Sequence, residues 1–112
     1  MSENTHIPEN WVLIKIQPKG EPVGFKVLGS WRGGYLYGDS WRINSGISSY
    51  ESHKDYYIFH GYSGSKYKCF KTHERASGIM IPLLDELSKL GASLINVKEF
   101  KDEFINSNPT KK

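Results

Sequence analysis

Cysteine is nearly missing from this chain. Cys69 stands alone, so no internal disulfide framework can hold the fold together. Long apolar runs are missing as well: no stretch approaches the roughly 20 residues that a bilayer-spanning helix needs. Residues 1–10 are polar and lack the basic-then-apolar layout of a secretory leader. A soluble cytoplasmic protein that avoids membranes is the expectation.

The usual marks of chemistry are also scarce. Gly29, Gly33, Gly34 and Gly38 are separated by strand-like residues, and no helix opens after them. That excludes both the phosphate-cradling loop and the dinucleotide fingerprint. His6, His53, His60 and His73 have no His, Cys or carboxylate partner at a recognised ligand spacing, so neither a metal nor another cofactor is expected. Asp39 and Asp55 are the only aspartates in the strand-rich part, and they do not form a pair suited to acid–base work. Cys69 could act as a nucleophile only with a base beside it. In the hairpin predicted below, His60 shares its face but meets it on the diagonal, about 7–8 Å away. With no third residue to orient the histidine, a buried thiol beside Ile58 is the better reading. A catalytic role is not expected.

What the chain does have is unevenly placed. Its 112 residues suit one domain. Between positions 11 and 71 there are nine Lys/Arg against four Asp/Glu, and 13 of the 15 aromatic residues lie between 11 and 70. From 72 onward acids and bases balance, and the apolar residues become mainly aliphatic. A basic, aromatic front part is followed by a neutral, aliphatic one.

The pattern changes with the composition. The apolar run from Trp11 to Ile16 is rich in β-branched residues and closes at Pro18 and Gly20, as a strand and turn would. Val23, Phe25 and Val27 alternate with other residues at the period of a half-buried strand. Gly33-Gly34 predicts a two-residue hairpin turn into a strand over 35–43. For Trp41 and Ile43 to align with Phe25 and Val23, that hairpin needs a β-bulge near Gly38-Asp39. Residues 44–54 read as a polar loop. Residues 55–62 and 65–71 flank Ser63-Gly64 and form the clearest hairpin, with His60 opposite Tyr67 and Ile58 opposite Cys69.

After Thr72 the period becomes helical. Leu83, Leu84, Leu87 and Leu90 predict a helix over 82–90, with Pro82 at its first position and Gly91 at its stop. Residues 93–95 read as a brief strand. A second helix over 97–105 is announced by a capping box of Asn96 and Glu99, with Ile95 stapled onto Phe100. Val97, Phe100, Phe104 and Ile105 form its inner stripe. The expectation is an α+β domain: a meander of about five antiparallel strands followed by two C-terminal helices packed on one face. The domain is expected to span 11–106, between flexible tails at 1–10 and 107–112.

The predicted hairpin supplies a candidate binding surface. One face carries Tyr56, Ile58, His60, Tyr67 and Cys69, and the other Tyr57, Phe59, Lys66, Lys68 and Phe70. The thiol favours the first as the inner face, which leaves Tyr57, Phe59, Lys66, Lys68 and Phe70 outside as the binding surface. Rings flanked by lysines suit two classes of partner. The leading expectation is a protein, docked through exposed sheet residues or through residues 44–54. The alternative is single-stranded nucleic acid stacked on the rings.

Two segments carry a resemblance. Asp39-Ser40-Trp41-Arg42-Ile43-Asn44-Ser45-Gly46-Ile47 and Gly64-Ser65-Lys66-Tyr67-Lys68-Cys69 resemble segments of small uncharacterised proteins encoded by bacterial prophages. The resemblance covers about a third of the chain. It implies a mobile-element accessory protein and assigns no catalytic residue.

Overall fold

The computed structural model describes residues 5–17, 20, 23–34 and 38–107, and side chains throughout these except at 32–34, 38–39 and 106–107. In chain order the elements are β1 (Thr5–His6), β2 (Asn10–Ile16), β3 (Gly24–Gly34), β4 (Gly38–Ile43), β5 (Ile47–Ser52), β6 (Tyr56–Gly61), β7 (Lys66–Phe70), a 3-10 turn (Lys71–His73), α1 (Met80–Ser88), β8 (Ala92–Ile95) and α2 (Val97–Ser107). The class is α+β, as expected. The strands divide into two four-stranded sheets: sheet I in the order β1-β7-β6-β5 and sheet II in the order β4-β3-β2-β8. Only β1–β7 among the named strand pairs is parallel.

The sheets meet across an aromatic core. Sheet II contributes Trp11, Leu13, Phe25 and Val27, and sheet I contributes Tyr57, Phe59, Tyr67 and Cys69. Trp11 also ties the sheets by a polar contact, its indole N–H donating to the Phe70 carbonyl at 2.7 Å. The other side of β2, with Val12 and Ile14, joins Leu28 and Ala92 beneath α1 in a second core. Sheet II is therefore covered on both faces, which explains why the run from Trp11 to Ile14 is apolar without alternation.

The two helices serve these different cores. α1 sets Met80, Leu83, Leu84 and Leu87 against sheet II. It begins at Met80, two residues before Pro82, where a missing N–H is still harmless because first-turn donors have no intrahelical acceptor. Gly91 (φ +93°) ends the following turn, and Leu90 lies beyond the helix, exposed. α2 wedges between the sheets. Its Phe100 ring lies 5.3 Å from Phe25 on one side, and 5.2 Å from Tyr50 and 5.7 Å from Phe59 on the other. The expected stripe holds for Val97, Phe100 and Phe104, while Ile105 faces outward. The capping box forms as read: the Glu99 N–H donates to Asn96 Oδ1 at 2.8 Å, and the Asn96 N–H to Glu99 Oε1 at 3.2 Å.

Three expectations about the strands are corrected. Residues 47–52 form strand β5 rather than loop, with Ile47 and Tyr50 turned to the core. Their polar neighbours reflect an edge strand with one wet face. Thr5–His6 pairs with Lys66–Tyr67, so the structured chain begins before residue 11. The first hairpin does not turn at Gly33-Gly34, since both belong to β3 and Gly34 pairs with Gly38. The proposed turn's partners, residues 35–37, lie outside the described residues. A ladder irregularity does occur, between the pairs Trp31–Ser40 and Gly34–Gly38, and its extra residue is on β3. Ile43 consequently opposes Leu28 and Trp41 opposes Ser30, not Val23 and Phe25.

Asn44 carries the chain from one sheet to the other. Its N–H donates to the Val27 carbonyl at 3.0 Å, and its Oδ1 accepts the Val27 N–H at 2.9 Å. The side chain thereby continues the ladder for one residue after β4 has ended.

Candidate binding surface

The register of the β6–β7 hairpin decides which side chains reach solvent. A two-residue turn at Ser63-Gly64 would place His60 opposite Tyr67. The observed loop has three residues, Tyr62-Ser63-Gly64. The Gly61 N–H donates to the Ser65 carbonyl at 2.8 Å, and the Gly64 N–H to the Gly61 carbonyl at 3.0 Å. Gly64 takes φ +96°, the left-handed position that closes a three-residue hairpin. Side contacts hold the loop in this form: the Tyr62 N–H donates to the Gly46 carbonyl and the Ser63 N–H to Ser45 Oγ.

A one-residue change in pairing moves a whole strand's side chains across the sheet. Phe59 now opposes Tyr67, and Tyr57 opposes Cys69. All four are buried. The outer face carries Tyr56, Ile58 and His60 from β6 with Lys66, Lys68 and Phe70 from β7, each half-buried. The sequence-derived surface is thus split: Lys66, Lys68 and Phe70 are outside as expected, whereas Tyr57 and Phe59 are in the core. Tyr56 and Ile58 take their place. Burial alternates strictly along both strands, and a three-residue loop would have selected the correct halves.

The outer face is organised around Tyr56. Its ring meets Phe70 edge-on at 5.8 Å, His53 stacks on it at 4.6 Å, and Lys68 Nζ sits 4.5 Å from its centroid. Phe70 touches His73 in turn at 5.7 Å. Towards β5, Glu51 is held between two histidines, with His53 Nε2 2.9 Å from Oε1 and His60 Nε2 2.6 Å from Oε2. Hydrogen bonds from His53 and then His60 lower the Glu51 pKa. Among the described residues, neither helix lies over this face, because both belong to the two cores. Compared with protein-family models, curated proteins and solved structures, the chain matches none.

The same register removes the nucleophile reading. Cys69 points into the core and His60 outward, so they lie on opposite faces of sheet I. Burial pushes the Cys69 thiol up, away from the reactive thiolate. Among the described residues, no group of three His, Cys, Asp or Glu is placed to hold a metal ion. No described helix is long and apolar enough to cross a membrane. A second aromatic feature lies between the sheets' edges, where His6, Trp31, Ser40, Trp41 and Arg42 line a cleft of about 280 Å³. Trp31 is committed there to structure, its indole N–H donating to the Ile7 carbonyl at 2.9 Å.

Proposed function

We propose that this chain is a non-catalytic interaction protein that docks an acidic protein surface through the outer face of sheet I. The observation that carries this reading is the strip of Tyr56, Ile58 and Phe70 on a face that neither described helix covers, with Lys66 and Lys68 beside it. Apolar and aromatic side chains grouped on one exposed sheet face lose water when a partner covers them, and aromatic residues dominate such contacts. The adjoining basic groups set the sign of the partner's charge.

The ring geometry favours a protein over stacked bases. A base platform needs an open ring face. Tyr56 already carries the His53 ring and the Lys68 ammonium, and Lys68 also lies 5.4 Å from the Phe70 centroid. Occupying a partner's surface also suits the mobile-element accessory role that the sequence resemblance implies.

The test is affinity capture from the native host with three baits: the wild type, Lys68→Glu/Phe70→Ala, and Leu94→Lys on the far side of the molecule. The reading expects a protein that is retained by the first and third baits and lost by the second. Equal retention by all three would remove the outer face from consideration. Captured material that proves to be nucleic acid, released steeply by salt, would favour the alternative.

A further inference from the structure

Among the described residues, the four sheet edges are not equally guarded. β1 is only two residues long. β4 carries Arg42, and β5 carries Glu51 together with a ladder irregularity between Ile47 and Ser49. Short strands, charges and irregular ladders are the usual devices that stop an edge from pairing with another chain. β8, with the sequence Ala-Ser-Leu-Ile, has no charge, no proline and no irregularity in its pairing with β2. Among the described strands none lies beyond it.

Three of the seven large apolar side chains exposed among the described residues lie at or next to this edge. Leu94 and Ile81 are each 56% exposed, and Leu90 is 73% exposed. Between α1 and β8 runs a groove of about 460 Å³ whose apolar lining is Ile14, Ile81, Leu84, Leu87, Ala92 and Leu94. The Gln17 N–H donates to the Gly91 carbonyl, which fixes the phase of the β2–β8 ladder. By the alternation of an antiparallel ladder, the N–H and C=O groups of Ala92 and Leu94 then point away from β2, toward the open edge.

We propose that the occupant of this edge is β8 of a second copy of the chain, paired antiparallel about a two-fold axis at Ser93. That register sets Ala92 opposite the partner's Leu94, and Leu94 opposite the partner's Ala92. Both residues direct their peptide groups outward, so the pairing forms about four hydrogen bonds. It is also self-complementary in shape. Ala92 and Leu94 share the α1 side of the strand, a small residue beside the groove and a large one at its rim. Each copy's Leu94 is laid beside the other's Ala92, into the apolar groove. A patch that fits itself in this way is what an isologous two-fold contact requires. The two copies of sheet II join into one continuous sheet, with both α1 helices on the same side. The outer face of sheet I stays open in both copies, so the dimer presents its proposed docking face twice.

The register makes a covalent test possible. Ser93 and the partner's Ser93 form a non-hydrogen-bonded pair with Cα atoms about 4.5 Å apart, within the range that a disulfide spans. The chain's own Cys69 is fully buried and stays silent. Under mild oxidation of the folded chain, Ser93→Cys is expected to give a covalent dimer, while Leu94→Cys gives much less. Sedimentation of the wild type should show a concentration-dependent dimer, and Leu94→Lys should raise its Kd at least about tenfold. A wild type that sediments as a monomer at its highest soluble concentration overturns the proposal. So does a Ser93→Cys chain that cross-links no better than Leu94→Cys, a comparison that stands even if Leu94→Lys folds poorly. Loss of the dimer would leave the docking role of sheet I untouched, because the two surfaces share no residue.

Discussion

Removing the Phe59 ring should cost far more than removing the Phe70 ring, although the two lie on neighbouring strands of one hairpin. Phe59 is fully buried and touches four other rings: Trp11 at 5.8 Å, Tyr50 at 6.2 Å, and Tyr57 and Phe100 each at 5.7 Å. Truncation to alanine at such a site costs about 3–5 kcal/mol, combining lost transfer energy with the cavity left behind. A domain of this size has about 5–15 kcal/mol in total. At roughly 4 °C per kcal/mol, the Tm of Phe59→Ala should therefore fall by roughly 12–20 °C. Phe70 is half-buried on the outer face, so Phe70→Ala should cost about 1 kcal/mol. Urea and thermal melts followed by circular dichroism measure both. Had the loop been Ser63-Gly64 alone, Phe59 and Phe70 would share one face and their costs would be similar. Equal losses would refute the three-residue loop and, with it, the assignment of the outer face.

Further expectations follow from single contacts. Asn96→Ala should cost about 0.5–2 kcal/mol by removing the oxygen that accepts the Glu99 N–H, and an Asn96→Ala/Glu99→Ala double-mutant cycle should show the two losses to be coupled. Asn44→Ala should cost about 1–3 kcal/mol in a denaturant melt, because it strands the buried Val27 N–H. The lowered pKa of Glu51 means that its ionised form is favoured by folding. Its contribution is present above the ordinary carboxylate pKa and is lost as the pH falls through the lowered value. In an NMR titration, His53→Ala and His60→Ala should each move the Glu51 midpoint upward, the former more. Cys69 should resist a thiol reagent in the native state and react once the chain is unfolded.

The helices were the most legible part of the sequence, because their signals are local. Asn96 and Glu99 sit three residues apart and bond each other directly, so no knowledge of the rest of the fold was needed to read them. The change from period two to a helical period after Thr72 likewise marked the class correctly. The sheets were harder, since pairing depends on loops whose lengths are ambiguous. A positive φ at Gly64 suits the end of either a two-residue or a three-residue loop, and the difference exchanges Tyr67 and Cys69 for Lys66, Lys68 and Phe70. β5 was missed because Ser48, Ser49, Glu51 and Ser52 outweigh Ile47 and Tyr50 in any average over the segment. The division into two sheets has no local signature. It follows from Asn44, which turns the chain from β4 towards β5 through its bonds to Val27, a residue 17 positions away.

The central claim is that the outer face of sheet I is where a partner sits. Its most direct test is an amide and methyl NMR titration of the labelled chain with the protein retained by the wild-type bait and lost by Lys68→Glu/Phe70→Ala. The account predicts that perturbed signals cluster on Tyr56, Ile58, His60, Lys66, Lys68 and Phe70, while Val12, Leu28 and Leu84 beneath and within α1 stay still. Perturbations centred instead on the His6, Trp31 and Trp41 cleft, or on α1, would contradict it.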